Sequence, residues 1–392
     1  MSGNIVPSFV DGNVPIAGLD QLSAHLDEAI QDPDADFKPK LFDDVELQLT
    51  ESNVPPLLPT LLPKLTTILL TTRKDPAVPV SLSIRLLRHV SFTQTLSLAD
   101  ETALITAFDS PAPSANLLAM AVLHKATTPA DIAILASMPR LLEHFIRRWL
   151  SAPQVEVGER GTRVLGDLLE IDSQSPPLRI PREAITVNGV PWTNGSTNGD
   201  HGNNELADIH KPRGEGVLWH RLTHDVDLYN LLVALPQGRD ISGEVLDERQ
   251  TSLAQGRLLR LLPRLALRDF DLVTQPPPKP SDDELMGGVD PEAEARQSGL
   301  LQFVALRMVD KSDLLMHLSL IDFFETLISL LRVRAKEGGS SSSQNIVQTL
   351  REILSVALRG DDELRAALQR LPDRTVEEEA EDLRIFIESV VG

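Results

Sequence analysis

Leucine and other apolar residues recur at three- and four-residue spacing along most of this chain, and period-2 alternation is nearly absent. That spacing gathers apolar side chains on one face of a helix, whereas a half-buried strand needs every second residue apolar. One helix is expected from Pro79 through Leu82, Leu86, Leu87 and Val90. Another opens at Pro139 with Leu142, Phe145, Ile146 and Trp149, because a proline in the first turn gives up an N–H that has no partner there. Further helices are expected over Glu159–Ile171 and over Leu253–Phe270, where Leu258, Leu261, Leu262 and Leu265 share a side. Leu300–Arg334 reads as two helices broken near Lys311-Ser312-Asp313, with Ser312 as N-cap and Leu314, Leu318, Ile321, Phe324 or Leu327, Ile328 and Leu331 inward. Gln344–Arg359 follows, then Asp361–Leu371 with Asp361 as N-cap after Gly360, and an acidic helix from Val376 to Val391.

Short helices with a rhythm of roughly 40 residues predict an all-α, armadillo/HEAT-like helical repeat solenoid with long disordered loops. An irregular compact all-α domain is the alternative. Residues 1–15 are expected to be flexible, 16–172 to form N-terminal repeats, and 217–371 to form C-terminal repeats. Residues 372–392 are expected as an acidic C-terminal helix. Between the repeat regions, Ser173–Gly216 is rich in Gly, Asn, Pro and Ser and reads as a disordered insertion, with mobile loops at 275–297 and 336–343.

At 42% hydrophobic residues the chain has enough apolar surface for a core, and a formal charge of -20 opposes phosphate backbones and anionic membranes. Neither direct nucleic-acid nor membrane binding is expected. Leu57–Leu70 is interrupted by Pro59, Pro63 and Lys64 and is too short to span a bilayer. The absence of cysteine excludes disulfides, thiolate nucleophiles and cysteine metal sites, and fits a reducing compartment. With no basic and apolar leader at the N-terminus, a cytoplasmic location is expected, the nucleus also being open.

No phosphate-binding loop, dinucleotide fingerprint, zinc-protease motif or nucleophile elbow occurs, so no enzyme activity and no cofactor are expected. His220 and His224 are four residues apart and could share a metal with Asp225 or Asp227, but the local sequence fixes no third ligand and a plain helix surface is the stronger reading. The carboxylates Asp282-Asp283-Glu284 and Glu377-Glu378-Glu379 read as solvated charge, the second group favoured by a helix N-terminus. Arg257, Arg260, Arg264 and Arg268 form a basic stripe opposite the leucine face. It reads either as a contact for an acidic partner or as a solvated face paired with neighbouring acids. Asp322, Glu325, Ser329 and Arg332 form a polar face that would meet a partner if it lined a concave surface.

Three segments carry a family resemblance. Ser83-Ile84-Arg85-Leu86-Leu87-Arg88-His89-Val90-Ser91 looks like an armadillo helix end, and Ser137-Met138-Pro139-Arg140-Leu141-Leu142 resembles a proline-opened inner repeat helix. The run from Leu314 to Leu327 resembles the helix pair of the proteasome-base assembly chaperones similar to proteasome non-ATPase regulatory subunit 5. Fungal members of that family also carry a DNA mismatch-repair label. The resemblance extends over about 50–172 and 217–371. It implies a C-shaped rod that binds the C-terminal small domain of one ATPase subunit of the 19S regulatory particle during base assembly. The chain is short of the family's usual C-terminal extent, which leaves the acidic last helix as a cap or as the end of a shortened sequence. The competing expectations are another armadillo/HEAT adaptor in transport, tethering or DNA repair, and a metal-dependent all-α enzyme using His220 and His224.

Overall fold

Prolines and short polar residues set the helix starts. Pro39, Pro113, Pro129 and Pro139 all stand in first turns. Ser91 with Gln94, Thr128 with Asp131, and Asp247 with Gln250 form capping boxes in which each side chain answers the other's backbone N–H. The computed structural model describes residues 16–175, 186–187, 190–191, 213–240, 245–277, 298–337 and 339–391. The fold is all-α, as expected, apart from an antiparallel pair of two-residue strands, Thr186–Val187 with Val190–Pro191.

The chain divides into two compact units between Lys125 and Ala126. In the first unit the helices are α1 (Leu19–Gln31), α2 (Pro39–Glu46), α3 (Leu58–Thr71), α4 (Ala77–Leu87), α5 (Phe92–Leu98), α6 (Glu101–Asp109) and α7 (Pro113–Leu123). Helix α3 packs on α1 and α4, and α7 packs on α4 and α6, closing a core that includes Leu26, Phe42, Ile68, Leu86, Phe108 and Met120. Buried Asn116 donates its amide to the carbonyls of Ala107 (2.8 Å), Phe108 (3.2 Å) and Ser110 (3.1 Å), which closes the end of α6. Helix α3 continues through Pro63.

The second unit begins with α8 (Pro129–Ala136), α9 (Pro139–Ser151) and α10 (Val155–Asp172). Next come α11 (Val217–His224), α12 (Val226–Ala234), α13 (Glu248–Arg268) and α14 (Phe270–Thr274). It ends with α15 (Leu300–Leu306), α16 (Leu314–Glu337), α17 (Ser340–Ala357), α18 (Asp362–Arg370) and α19 (Glu377–Val391). Here α8 packs on α11, α9 on α12 and α13, α10 on α13, α13 on α16, and α19 on α16 and α17. Each helix buries its apolar stripe against several others around one core.

Several expected boundaries are corrected. Helix α10 packs on α13 across the 173–216 segment, so the helices flanking it belong to the same compact unit. Asp172, fully buried, accepts four backbone N–H groups at the start of α11: Gly216 (3.1 Å), Val217 (3.2 Å), Leu218 (2.7 Å) and Trp219 (3.0 Å). Gly214 N donates to Ser173 O at 3.1 Å, so the two ends of the insertion lie side by side. A chain can leave and return at such a base without interrupting the core. The break before α16 is capped by Asp313, whose Oδ1 accepts from Leu315 N (2.9 Å) and Met316 N (3.2 Å), and not by Ser312. Of the expected 336–343 loop, Lys336 and Glu337 belong to α16 and the serines from Ser340 belong to α17. The expectations for residues 1–15, for most of 173–216 and for 278–297, including Asp282-Asp283-Glu284, lie outside the described residues.

Candidate functional site

Most of the arginine stripe of α13 faces inward, and Arg260 alone of the four is exposed. Arg257 is 5% exposed and its guanidinium donates to the carbonyls of Trp149 (2.7 Å), Leu150 (2.9 Å), Ala152 (2.6 Å) and Gln154 (3.1 Å). These are carbonyls at and beyond the end of α9, where helix geometry leaves acceptors without partners and the dipole favours a cation. Burial lowers the Arg257 pKa to about 10, with Glu159 acting in the opposite sense, so the group stays charged at neutral pH. Arg260 pairs with Glu159. Arg264 reaches Asp167 and Glu170, both at 2.7 Å, and Arg268 donates to Glu170 O at 3.5 Å. For Arg264 burial opposes the charge, but Glu170 and Asp167 outweigh it and its pKa is raised. Arg257, Arg264 and Arg268 therefore belong to an internal seam with α9 and α10, while Arg260 stays at the surface.

The polar face of α16 is also largely internal. Glu325 is buried and pairs with Arg374; Ser329 is buried and donates to Glu325 O at 2.8 Å. Arg332, 8% exposed, meets Glu379 at 2.6 Å. Lys336 reaches Asp382 at 2.5 Å. These contacts fasten the acidic last helix, α19, whose Leu383, Phe386, Ile387 and Val390 are buried. Glu379, expected as solvated charge, thus has a specific partner. Asp322 alone of the four expected contact residues is exposed.

The leucines that open α16 are turned the other way from expectation. Leu314, Leu315 and Leu318 are 67%, 70% and 49% exposed, while Ile321, Phe324, Leu327, Ile328 and Leu331 are buried. Helix α16 is apolar nearly all round, so its sequence supports two inward arcs, and packing against α13, α17 and α19 selects one. A signal was available: Leu314 and Leu315 are adjacent and stand about 100° apart, so one arc could not bury both with the later leucines. By length and composition α16 is also able to cross a membrane, and 61% of its most apolar window is buried inside the second unit.

His220 and His224 share a face, their rings stacked with centroids 4.2 Å apart and planes within 10°. Stacked rings hold their in-plane lone pairs in separate parallel planes, whereas a shared metal would have to lie in the plane of both. His224 Nδ1 lies 2.8 Å from Thr223 Oγ1, and burial, followed by neighbouring His220, lowers its pKa. Asp225 Oδ1 accepts the N–H groups of Asp227 (3.1 Å) and Leu228 (3.4 Å) as the N-cap of α12. Among the described residues no three His, Cys, Asp or Glu side chains are grouped to hold a metal.

Buried Asp361 gathers the other polar cluster. It accepts from Lys311 Nζ (2.7 Å), lies 3.0 Å from His317 Nε2, and caps α18 through Leu364 N (3.0 Å). Lys311 also closes the end of α17 through Ala357 O at 2.7 Å. The arrangement joins α16, α17 and α18.

No family model, curated protein or solved structure matches the chain.

Proposed function

We propose that this protein is a non-catalytic binding scaffold of the helical-repeat type. Its client, on the resemblance of the Leu314–Leu327 run, is an ATPase subunit of the 19S proteasome base, held by its C-terminal small domain during assembly. One observation supports the scaffold reading above others. Arg264, Arg332, Lys311 and the acids they meet are engaged in joining helices, while the leucines opening α16 stay exposed. Exposed leucines grouped on one helix face mark interaction surfaces more often than isolated ones do. The mechanism is stoichiometric: a surface is occupied and later released, with no bond made or broken.

Capture with the tagged full-length chain from lysate, followed by mass spectrometry, tests the client. Enrichment of base ATPase subunits over untagged controls is expected. Recovery of a different defined complex, in transport, tethering or DNA repair, would keep the scaffold and replace the client. Recovery of none of the base subunits overturns the assembly-chaperone reading.

A further inference from the structure

Six residues of α16 form one stripe: Leu314, Leu318, Asp322, Glu325, Ser329 and Arg332, at spacings of three and four. Its second half is covered by the chain's own C-terminal segment, with Arg374 on Glu325 and Glu379 on Arg332 at 2.6 Å. Its first half is open, and Leu315 flanks it. The open half runs about 12 Å from Leu314 to Asp322, enough for two turns of a partner helix. The covered half shows that the stripe is shaped to receive a helix, because α19 already packs on α16.

Charge says what kind of helix fits the open half. Asp313 stands immediately before the leucines and Asp322 one turn after Leu318, both exposed. Among the described residues neither carries an ion pair. Glu363, 69% exposed, approaches the same helix at 3.5 Å from His317 Nδ1. The nearest base in sequence, Lys311, is engaged by Asp361 and Ala357 O, both at 2.7 Å. An apolar strip bordered by exposed carboxylates without ion pairs favours a cationic visitor, and the chain's charge of -20 opposes a second copy of itself.

We propose that the Leu314–Leu315–Leu318 face binds an amphipathic helix of another protein, with apolar residues at i, i+3 or i+4 and i+7 and with Lys or Arg on its flanks. This rests on the reading of the chain as a binding scaffold, and not on the identity of the client.

The test is selection of a helical peptide library on the immobilised full-length protein, with depletion on the Leu314→Asp/Leu318→Asp variant. Peptides that depend on the leucines and carry net positive charge are expected. In fluorescence anisotropy they should bind the double variant at least tenfold more weakly, lose affinity with added salt, and lose affinity to Asp322→Lys. Because all three positions are exposed, both variants should melt as the parent does, and Asp322→Lys alone keeps the charge test independent of the leucines. Four results overturn the proposal: no leucine-dependent peptide, enrichment of neutral or acidic peptides, leucine-dependent self-association in sedimentation, or leucine-dependent flotation with phosphatidylcholine vesicles. Failure of the base-subunit capture alongside success here removes the client and keeps the surface; the reverse removes the surface and keeps the client.

Discussion

Arg257 crosses α10 directly over Gly158: a Cβ built on that glycine would lie 2.0 Å from the arginine Nε. The same helix carries Gly161, where a Cβ would meet Trp149 Cδ1 at 2.5 Å, and Gly166, where one would meet Arg264 Nη1 at 2.3 Å. Three glycines weaken a helix in isolation. Here they let α9 and α13 approach closely enough for Arg257 to close the end of α9 and for Arg264 to reach Asp167 and Glu170. Packing has replaced intrinsic propensity at this crossing.

Gly158→Ala should therefore destabilise the protein by about 1–3 kcal/mol, since the arginine has to leave its carbonyls or the helices have to part. Gly256→Ala is the matched control. Nothing lies within 4 Å of a Cβ at Gly256, inside α13, so this variant should gain up to about 1 kcal/mol. Urea melts of both variants decide the matter: opposite signs are required, and equal effects would show that the crossing is slack.

Asp172 satisfies four N–H groups at a buried helix start. Asp172→Ala should cost about 2 kcal/mol or more, because those donors lose their acceptor where little water reaches them. Replacing residues 176–212 with a short Gly/Ser linker should leave the melting temperature nearly unchanged, since Ser173 O and Gly214 N are already 3.1 Å apart. A large loss of stability on excision would mean that the insertion contributes to the core.

Acid should unfasten the α16–α18 junction. Burial works against the Asp361 carboxylate, but Lys311, the Leu364 N–H and His317 together outweigh it and hold its pKa below the ordinary 3.8. With the folded value depressed, the stability it contributes is present above pH 3.8 and is lost as pH falls through the folded value. Stability measured from pH 7 down to about 3 should fall at the acid end, and Asp361→Asn should flatten that fall. An unchanged acid slope in the variant would assign the loss to other carboxylates.

A double-mutant cycle on Arg332 and Glu379 should give a coupling of about 1–2 kcal/mol, because their side chains are only 9% and 16% exposed. The same cycle on Arg384 and Glu381, 49% and 71% exposed, should give no more than about 0.5 kcal/mol. Comparable couplings would mean that the last helix is held by its leucine, phenylalanine and isoleucine contacts alone.

Much of the helix pattern was legible because it depends on neighbours in the chain. Pro139 opens its helix, Asp361 caps the one after Gly360, and the leucines of Leu253–Phe270 line one side. Errors came where a second element decides the outcome. The Arg257–Arg268 stripe reads as a surface until α10, about 100 residues earlier, brings Glu159, Asp167 and Glu170 to it. Glu325 and Arg332 read as exposed until Arg374 and Glu379 arrive from the C-terminal segment.

The sequence by itself determined that this chain builds helices, how a few of them start, as at Pro139 and Asp361, and which residues are able to lie together on one face. Those properties follow from backbone geometry and from spacing within a few turns. Only the tertiary structure decided which face of each helix is covered, that Asp172 bridges the 173–216 insertion, and that Leu314, Leu315 and Leu318 remain outside. For a helix such as α16, apolar nearly all round, several orientations bury similar area. The choice among them is made by packing against α13, α17 and α19, elements distant in the sequence.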